Sequence, residues 1–223
     1  MVIVPVRNEA PRVGAVVREV WTVLPRVRVI VVVNGSTDDS AGAARAAGAE
    51  VLHAAPGVPH ALATGLDAAR RAGAPWVVQL DGDGQHPASA LPALLASLDA
   101  GADLVVGSRF LGGDPGYRVS LPRRLANAAL SRAASRWCGR PLTDVTSGLR
   151  AWSPRAIATL LPDLPTDLVD GNLLVRAVRR GLVVEEVPTP MRARTSGTSM
   201  HLGLHGPLHA ARMAARMLEE RKP

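Results

Sequence analysis

Residues 77–89, VVQLDGDGQHPAS, show the pattern from which the fold class follows. An apolar run ends in an acidic loop with two glycines, and a helical pattern follows over residues 87–99. The same order recurs earlier in the chain, where helical patterns follow apolar runs at 2–6, 27–33 and 50–54. Strands that alternate with helices in this way form right-handed crossovers. The pattern therefore predicts an α/β domain with a mainly parallel central sheet and helices on both faces.

The second half of the chain is less regular. It contains an apolar run at 102–108, followed by a loop at 109–119, a helical pattern near 120–137, the short segment GLRAW at 148–152, a helix at 166–180 and a strand at 182–187. Residues 201–223 combine spaced Leu and Met residues with arginines, which is typical of an amphipathic helix. Such a helix packs on the domain or lies on a membrane surface, and both alternatives are open at this point. We expect one domain at 1–200, followed by this helix.

Composition restricts the classes of protein to which the chain can belong. The chain has 223 residues, 47% of them hydrophobic, and a formal net charge of +7. A cationic surface suits phosphorylated small molecules, an anionic membrane or nucleic acid. Nucleic acid is the poorest fit, because the sequence offers a single Phe and a single Tyr to stack on bases. We therefore expect no nucleic acid partner.

Cysteine usage and hydropathy indicate the compartment. Cys138 is the only cysteine in the sequence, which excludes an intramolecular disulfide and a cysteine-based zinc site. No apolar run in the sequence approaches the ~18 residues that a transmembrane helix requires. The N-terminal run MVIVPV is too short for the hydrophobic region of a signal peptide. We therefore expect a cytoplasmic protein, either free or peripheral on the inner face of the cell membrane.

Polar residues follow the ends of the predicted strands. PVRNEA (5–10) follows the first strand, NGSTDDS (34–40) the second, DGDGQHP (81–87) the fourth and GSRF (107–110) the fifth. The carboxyl ends of parallel strands share one edge of the sheet, and ligands bind at that edge. The glycine motifs of dinucleotide-binding and P-loop proteins do not occur where they would be needed. The site therefore belongs to another class of α/β protein.

The loop at 81–87 offers ligands for a metal ion. Asp81, Asp83 and Gln85 supply hard oxygen atoms, and Mg²⁺ or Mn²⁺ commonly takes one or two carboxylates and completes its shell with water and substrate phosphates. A plain turn is the alternative, since Asp and Gly favour turns. An EF-hand calcium loop fits poorly, because His86 and Pro92 stand where that pattern requires Gly and Glu. We therefore expect a divalent cation, Mg²⁺ or Mn²⁺.

Six segments, in this order and at this spacing, resemble the inverting family 2 glycosyltransferases with the Rossmann-like GT-A fold. They are IVPVRNEA, VVNGSTDDS, VVQLDGDGQHP, LVVGSRF, DVTSGLRAW and RTSGTS. The resemblance extends from Ile3 to Ser199 and is greatest to the polyprenyl-phosphate and dolichyl-phosphate mannose synthase-like enzymes. It implies a single GT-A domain that moves a sugar from a nucleotide-sugar donor to a polyprenyl phosphate. It also implies peripheral contact with a membrane or with a membrane-anchored partner.

The resemblance implies roles for individual residues. The nucleotide sugar is expected to contact Pro5, Arg7, Asn8, Glu9, Asn34, Ser36, Asp81, Gly82 and Asp83. The metal is expected on Asp81, Asp83 and Gln85, with Asp83 favoured as the direct ligand. Phosphates of the donor or the acceptor are expected at Arg109, Arg123, Arg124, Arg150, Arg194 and Ser199. Arginine suits this task because its forked donors bind phosphate oxygens in pairs, although each arginine has the alternative of a solvated surface charge. The expected catalytic residues are Asp83, Asp144 and Arg194.

The acceptor is left open by the sequence. A phosphate attacks without losing a proton, whereas a saccharide or small-molecule hydroxyl needs a base. Asp144 and Asp170 are the candidates for that base. Each also has a structural alternative: Asp144 positions its loop by backbone hydrogen bonds, or Asp170 caps the helix that follows it. Val33 replaces an aspartate that relatives often carry, which leaves the nucleobase open and favours a third alternative, a non-catalytic relative that binds a nucleotide sugar. The intact acidic loop and Arg194 oppose that third alternative.

Overall fold

A computed structural model describes residues 1–112, 119–189, 191–192 and 205–220 of the chain, without the side chains of Arg123 and of residues 205–209. Within these ranges seven strands form one sheet in the order β3-β2-β1-β4-β6-β5-β7. The strands are β1 (Val2–Val6), β2 (Val29–Asn34), β3 (Glu50–Ala54), β4 (Val77–Gln79), β5 (Leu104–Ser108), β6 (Arg150–Trp152) and β7 (Val184–Pro188). The helices are α1 (Ala10–Val23), α2 (Ser40–Ala46), α3 (Val58–Arg71), α4 (Leu91–Asp99), α5 (Leu121–Cys138), α6 (Pro154–Leu160), α7 (Gly171–Arg179) and α8 (His205–Glu219). Short 3₁₀ turns lie at Ala88–Ala90 and Leu161–Asp163.

The sheet is mainly parallel, as predicted, with one reversed strand. β1 pairs in parallel with β2 and β4, β2 with β3, and β5 with β7. β6 runs antiparallel to both of its neighbours, and its first residue, Arg150, lies opposite Gln79 of β4 and Val106 of β5. Because of this reversal, the start of β6 lies near the edge where β4 and β5 end. The predicted α/β fold is confirmed, but the sequence pattern left the direction of residues 148–152 unassigned.

Alternating strand residues fill two apolar layers. In β1, Val2 and Val4 face the layer of α1, α2 and α4, whereas Ile3 faces the layer of α3 and α5 to α8. All three side chains are fully buried. Strands buried on both faces read as continuous Val and Ile runs, which is why β1 and β2 are visible in the sequence. Helices on both faces of the sheet are therefore confirmed.

The C-terminal helix α8 packs on the domain. Its Met213 and Met217 are fully buried and lie against the first residue of α7, Gly171. A Cβ atom at Gly171 would stand 3.0 Å from the Met217 sulfur and 3.4 Å from the Met213 sulfur, so a larger residue at 171 would press on both methionines. The apolar stripe of α8 therefore contributes to the core. No helix in the described parts of the chain has the length and hydropathy to cross a membrane.

Two elements of the second half differ from the prediction. The helix expected at 166–180 begins only at Gly171. Helix α6 was missed, although the order Ser153-Pro154 is a start signal: Ser153 Oγ accepts a hydrogen bond from the backbone N of Ala156 at 3.0 Å, and proline fits the first turn. The helix is seven residues long, too short for a clear period in the sequence.

Candidate active site

The loops that follow β1 and β2 are joined by hydrogen bonds. Asn8 adopts a left-handed backbone conformation with φ of 59°, which asparagine tolerates better than most residues. Its backbone N donates to Ser36 Oγ at 3.0 Å, and its side-chain Oδ1 accepts from the backbone N of Thr37 at 2.7 Å. Two residues predicted to contact the nucleotide sugar, Asn8 and Ser36, are thus joined directly at the carboxyl edge of the sheet.

The same two loops fix the start of α1. Asp38 accepts a hydrogen bond from the backbone N of Ala10 at 2.9 Å and one from the hydroxyl of Ser40. Desolvation alone would raise the pKa of Asp38, but these hydrogen bonds outweigh it and hold the pKa below its usual range. Ser40 Oγ in turn accepts from the backbone N of Glu9 at 2.9 Å. The acidic loop 34–40 therefore supports the first loop structurally.

Other predicted donor-site residues have defined partners. Pro5 is buried within β1, and Arg7 is exposed. Glu9 is buried, and its carboxylate accepts from Arg12 Nε at 2.7 Å. The buried amide of Asn34 donates to the carbonyl of Val6 at 2.9 Å and accepts from the backbone N of Gly57 at 3.3 Å. Asn34 therefore holds the end of β1 close to the start of α3.

Asp81 lies in a close-fitting cradle. A Cβ atom on Gly148 would stand 2.3 Å from Asp81 Oδ2, so the carboxylate rests against bare backbone. His86 is buried beside it, with Nε2 at 3.6 Å from Oδ2. Burial alone would raise the pKa of Asp81, but contact with His86 and the charges of Arg150 and Arg109 outweigh it and lower the pKa. The Asp81 side chain is 40% exposed and stays ionised at neutral pH.

Gly82 brings the acidic loop against β1. A Cβ atom at this position would stand 2.4 Å from Cγ1 of Val6, so a larger residue would push the loop away from the sheet. The side chain of Asp83 accepts a hydrogen bond from the backbone N of Gln85 at 3.0 Å, which closes the turn. Asp81, Asp83 and Gln85 thus all lie in the short loop that follows β4.

The acidic loop is also tied to the segment that follows β7. Gln85 Nε2 donates to the carbonyl of Arg192 at 3.2 Å, and the Arg192 backbone N donates to the Gln85 carbonyl at 2.8 Å. The Arg192 guanidinium donates twice to Glu19 of α1, at 2.9 Å each. Glu19 also accepts from the backbone N of Ala88 at 3.1 Å. Glu19 therefore contacts both the segment of Arg192 and the end of the acidic loop. We refer to Glu19 and Arg192 as the clamp pair.

A buried ion pair lies beyond the end of β5. Arg109 donates to Asp144 through Nε at 2.5 Å, Nη2 at 2.6 Å and its backbone N at 3.0 Å. The two residues are 4% and 0% exposed. Burial alone would raise the pKa of Asp144, but the hydrogen bonds and charge of Arg109 outweigh it, so the pKa lies below its usual range. This geometry is typical of a charge pair that holds two loops together.

Arg150 is a buried cation among carboxylates. It is 1% exposed, its Nη1 donates to the carbonyl of Val169, and its Nε has no hydrogen-bond partner among the described residues. Desolvation lowers its pKa, and the charges of Asp170, Asp81 and Asp144 oppose that shift. Asp170 occupies the N-cap position of α7, but its side chain makes no capping hydrogen bond to that helix. Arg150 therefore links three acidic residues electrostatically at the carboxyl edge of the sheet.

The amino-acid sequence matches a known protein family. The sequence model named glycosyl transferase family 2 matches residues 1–161. The chain belongs to glycosyl transferase family 2. The polyprenol monophosphomannose synthase of Mycolicibacterium smegmatis is 32% identical, over 91% of this chain and 81% of that protein. The dolichyl-phosphate hexose transferase of Haloferax volcanii is 31% identical, over 96% of this chain and 92% of that protein.

A solved structure shares the fold of this glycosyltransferase. It is glucosyl-3-phosphoglycerate synthase from Mycobacterium tuberculosis in complex with Mn²⁺, uridine-diphosphate-glucose and phosphoglyceric acid. The TM-score is 0.73 at 24% identity, over 99% of this chain and 78% of that one. The GT-A fold expected from the sequence is thereby confirmed.

The structure brings together only some of the residues predicted for the glycosyltransferase site. Asp81, Arg109, Asp144 and Arg150 are close enough for their charges to interact. Arg124 lies exposed on α5. Arg194, Ser199 and the side chain of Arg123 lie outside the described residues, so their predicted roles stay predictions.

Two features of the glycosyltransferase site were missed in the sequence. Glu186 of β7 accepts from the backbone N of Thr143 at 2.7 Å and from the backbone N of Asp144 at 2.8 Å. Desolvation and the charge of Asp144 raise the pKa of Glu186, against the hydrogen bonds that lower it. The clamp pair is the second feature, and its members are 173 residues apart in the chain. No local pattern marks either contact, because both depend on how distant strands and helices meet.

Proposed function

We propose that this glycosyltransferase moves a sugar, with inversion, from a nucleotide-sugar donor to a polyprenyl phosphate with the help of Mg²⁺ or Mn²⁺. The names of the two relatives support a polyprenyl-type acceptor. The bound groups of the structural neighbour support a nucleotide sugar and a divalent cation. The observation that carries the proposal is the cradle of Asp81 between Gly148 and His86, at the edge where Arg150 is buried.

The acidic loop fits a divalent cation that shares its ligands with a substrate. Within the described ranges no group of three or more His, Cys, Asp or Glu side chains is arranged to hold a metal ion. Mg²⁺ and Mn²⁺ at phosphate sites commonly use one or two carboxylates, and Asp81 and Asp83, with the amide oxygen of Gln85, would be those ligands. When bound, such a cation supplies positive charge to the departing diphosphate. Asp81 is ionised for this role at neutral pH because its pKa is lowered.

The remaining residues would bind and orient the substrates. The locked loops of Asn8 and Ser36 lie where the nucleotide sugar is expected, and Arg7 is exposed beside them. Arg194 and Ser199 are proposed to face the diphosphate. Arg150 contributes a fixed positive charge behind Asp81, which costs no reorganisation during the reaction.

The environment of Asp144 supports a phosphate acceptor over a hydroxyl. Both carboxylate oxygens of Asp144 accept hydrogen bonds from Arg109, and the lowered pKa makes it a poor proton acceptor. We propose that Asp144 positions Arg109 and takes no proton. A phosphate oxygen is already anionic and needs no base, so the reaction would proceed without one.

Transfer to a hydroxyl is the second candidate, and the placement of Asp170 favours it. Its side chain does not cap α7, and its charge acts on Arg150 at the candidate site. In that case Asp170, and not Asp144, would accept the proton from the hydroxyl.

The test is a transfer assay with UDP, GDP and TDP sugars, Mn²⁺ or Mg²⁺, and a short polyprenyl phosphate in detergent. We expect a labelled lipid product that EDTA abolishes. Asp83→Asn should abolish this product while circular dichroism shows an unchanged fold. Asp67→Asn, at a partly exposed residue of α3, is the matched control and should keep full activity. Transfer only to added sugars or small-molecule hydroxyls would favour the second candidate, and full activity of Asp83→Asn would contradict the metal assignment.

A further inference from the structure

Glu186 lies on β7, the last strand of the sheet, and contacts the turn that contains Asp144. Its Oε1 accepts a hydrogen bond from the backbone N of Asp144 at 2.8 Å. Its Oε2 accepts two more, from the backbone N of Thr143 at 2.7 Å and from the Thr143 hydroxyl at 2.8 Å. One carboxylate therefore binds three donors of two consecutive residues.

Two hydroxyl groups extend this contact to the loop after β5. Thr143 Oγ1 lies 2.6 Å from Ser108 Oγ. Since a carboxylate only accepts hydrogen bonds, the Thr143 hydroxyl donates to Glu186, and the Ser108 hydroxyl therefore donates to Thr143. The Ser108 oxygen in turn accepts from the backbone N of Phe110 at 3.2 Å and from that of Leu111 at 3.1 Å. We call the Thr143 and Ser108 hydroxyls the hydroxyl relay, because they connect Glu186 to the start of this loop.

The two segments that Glu186 contacts in this way also hold Arg109. Arg109 directly follows Ser108 of the relay, and it donates to the Asp144 carboxylate through its side chain and its backbone N. The Arg109 guanidinium also donates to the hydroxyl of Thr146, two residues after Asp144. A shift of either segment would therefore move the guanidinium relative to the rest of the candidate site.

The surroundings of Glu186 disfavour a negative charge but require a carboxylate. Burial and the neighbouring charge of Asp144 raise the pKa of Glu186, against the hydrogen bonds that lower it. Glutamine would avoid the charge, but its NH₂ group cannot accept a hydrogen bond. It would lose either the bond from Asp144 or both bonds from Thr143. Only a carboxylate serves all three donors at once.

We propose that Glu186 is a positioning residue for sugar transfer, which fixes Arg109 for the phosphate of the acceptor through the Thr143–Asp144 turn and the hydroxyl relay. Glu186 acts only through these contacts and does not bind a substrate itself. The inference rests on the proposed function to the extent that Arg109 binds the acceptor phosphate. The hydrogen bonds that fix Arg109 are tested separately, without any substrate.

Amide hydrogen exchange measures whether Glu186 fixes both segments. In Glu186→Gln we expect the backbone amides of Asp144, Phe110 and Leu111 to exchange about tenfold faster, the scale of one lost hydrogen bond to a charged group. Thr143→Val removes only the relay hydroxyl, so Phe110 and Leu111 should exchange faster while Asp144 stays protected by Glu186. Thr143→Ser keeps the hydroxyl and should restore the exchange rates of wild type.

Steady-state kinetics with a nucleotide sugar and a short polyprenyl phosphate in detergent measure the consequence for transfer. Glu186→Gln should raise the KM for the polyprenyl phosphate by about tenfold. The KM for the nucleotide sugar should stay unchanged, because the donor is expected at the loops after β1 and β2, on the other side of β4 from β7. A merely structural role would reduce the amount of folded enzyme and change neither KM. The matched control is Glu185→Gln, at the adjacent residue of β7, which is 44% exposed and pairs with Arg140. It should have both KM values of wild type.

The opposite results would overturn the inference. Exchange at wild-type rates in both Glu186→Gln and Thr143→Val would exclude the relay, and an unchanged KM for the polyprenyl phosphate in Glu186→Gln would exclude the positioning role. Thr143→Val with its partner Thr143→Ser supplies the same tests if circular dichroism shows that Glu186→Gln does not fold, since valine and threonine are nearly equal in size. Absence of wild-type transfer to the polyprenyl phosphate would contradict the proposed function, whereas faster exchange in Glu186→Gln would still show that Glu186 fixes the loop of Arg109.

Discussion

The carboxylate of Asp81 lies so close to Gly148 that the two positions cannot change independently. A Cβ atom at 148 would stand 2.3 Å from Oδ2 and 2.5 Å from Oδ1 of Asp81, distances that real Cβ atoms do not adopt. The glycine of the SGLR segment thus defines where a carboxylate of the acidic loop can be. The segments 81–87 and 147–150 are separate motifs in the sequence but form one structure in the fold.

Gly148→Ala is therefore expected to displace Asp81. We predict a drop in kcat/KM for sugar transfer of about 100-fold, the scale of a misplacement near 1 Å in an active site. Gly14→Ala is the matched control, since a Cβ on this residue of α1 meets only ordinary contacts at 3.5 Å. Wild-type activity in Gly148→Ala, measured by steady-state kinetics, would show that the position of Asp81 is unimportant for the reaction.

Asp144→Asn is expected to destabilise the protein strongly. It leaves Arg109 buried without a compensating charge, and breaking one side of a buried pair costs about 3–5 kcal/mol. Urea unfolding followed by circular dichroism measures the free energy of unfolding. The control is Asp163→Asn, which removes a half-exposed partner of Arg180 and should cost about 1 kcal/mol or less. A stable Asp144→Asn protein without activity would instead indicate a chemical role for Asp144.

The Asp144 pair also predicts a pH dependence of stability. The pKa of Asp144 in the folded protein is below its ordinary value of 3.8, so its contribution to stability is complete above that value. This contribution is lost as the pH falls through the lower pKa of the folded state. The difference in unfolding free energy between wild type and Asp144→Asn should therefore be constant near neutral pH and shrink below pH 3.8. A difference that persists at acid pH would contradict the lowered pKa.

Glu19→Gln tests the clamp pair. The pair is partly exposed, with the Arg192 and Glu19 side chains 54% and 31% accessible, so its loss should change stability by about 1 kcal/mol or less. Activity should fall more, by about tenfold in kcat/KM, because the acidic loop loses an attachment to the segment that precedes Arg194. The control is Glu50→Gln, which breaks the exposed ion pair between Glu50 of β3 and Arg28. Equal activity of the two variants would show that the clamp pair has no role in catalysis.

The first half of the fold was predictable because β1, β2 and β4 are buried on both faces. Runs such as VIVPV and VIVVVN are typical of buried parallel strands, and the polar loop after each run marks the carboxyl edge. The three residues of β6 carry no signal of direction, since strand direction depends on the neighbours to which a strand pairs. The sequence predicts the start of α7 five residues too early, because residues 166–170 (TDLVD) carry Leu168 and Val169 at positions that suit the helical pattern but are not helical.

The candidate site was predictable as a set of residues but not as a set of contacts. Arg109 and Asp144 were both expected there, yet their pairing became visible only in three dimensions. Glu186 and Glu19 were missed because each lies in an ordinary strand or helix and acts on a loop distant in sequence. Motifs at strand ends indicate which side chains reach an edge, and packing determines which of them bind each other.

The reversed strand β6 restricts how the chain can change in length. Trp152 packs in the layer that contains α3 and α5 to α8, whereas Ala151 packs in the layer of α1, α2 and α4. Arg150, two residues before Trp152, lies on the same face of the strand as Trp152. A one-residue slip in register would exchange these faces. It would move the Arg150 guanidinium away from the charges of Asp170, Asp81 and Asp144 and towards the layer of α1, α2 and α4. An insertion of one residue between Gly139 and Gly148 that shifts β6 should therefore destabilise the fold.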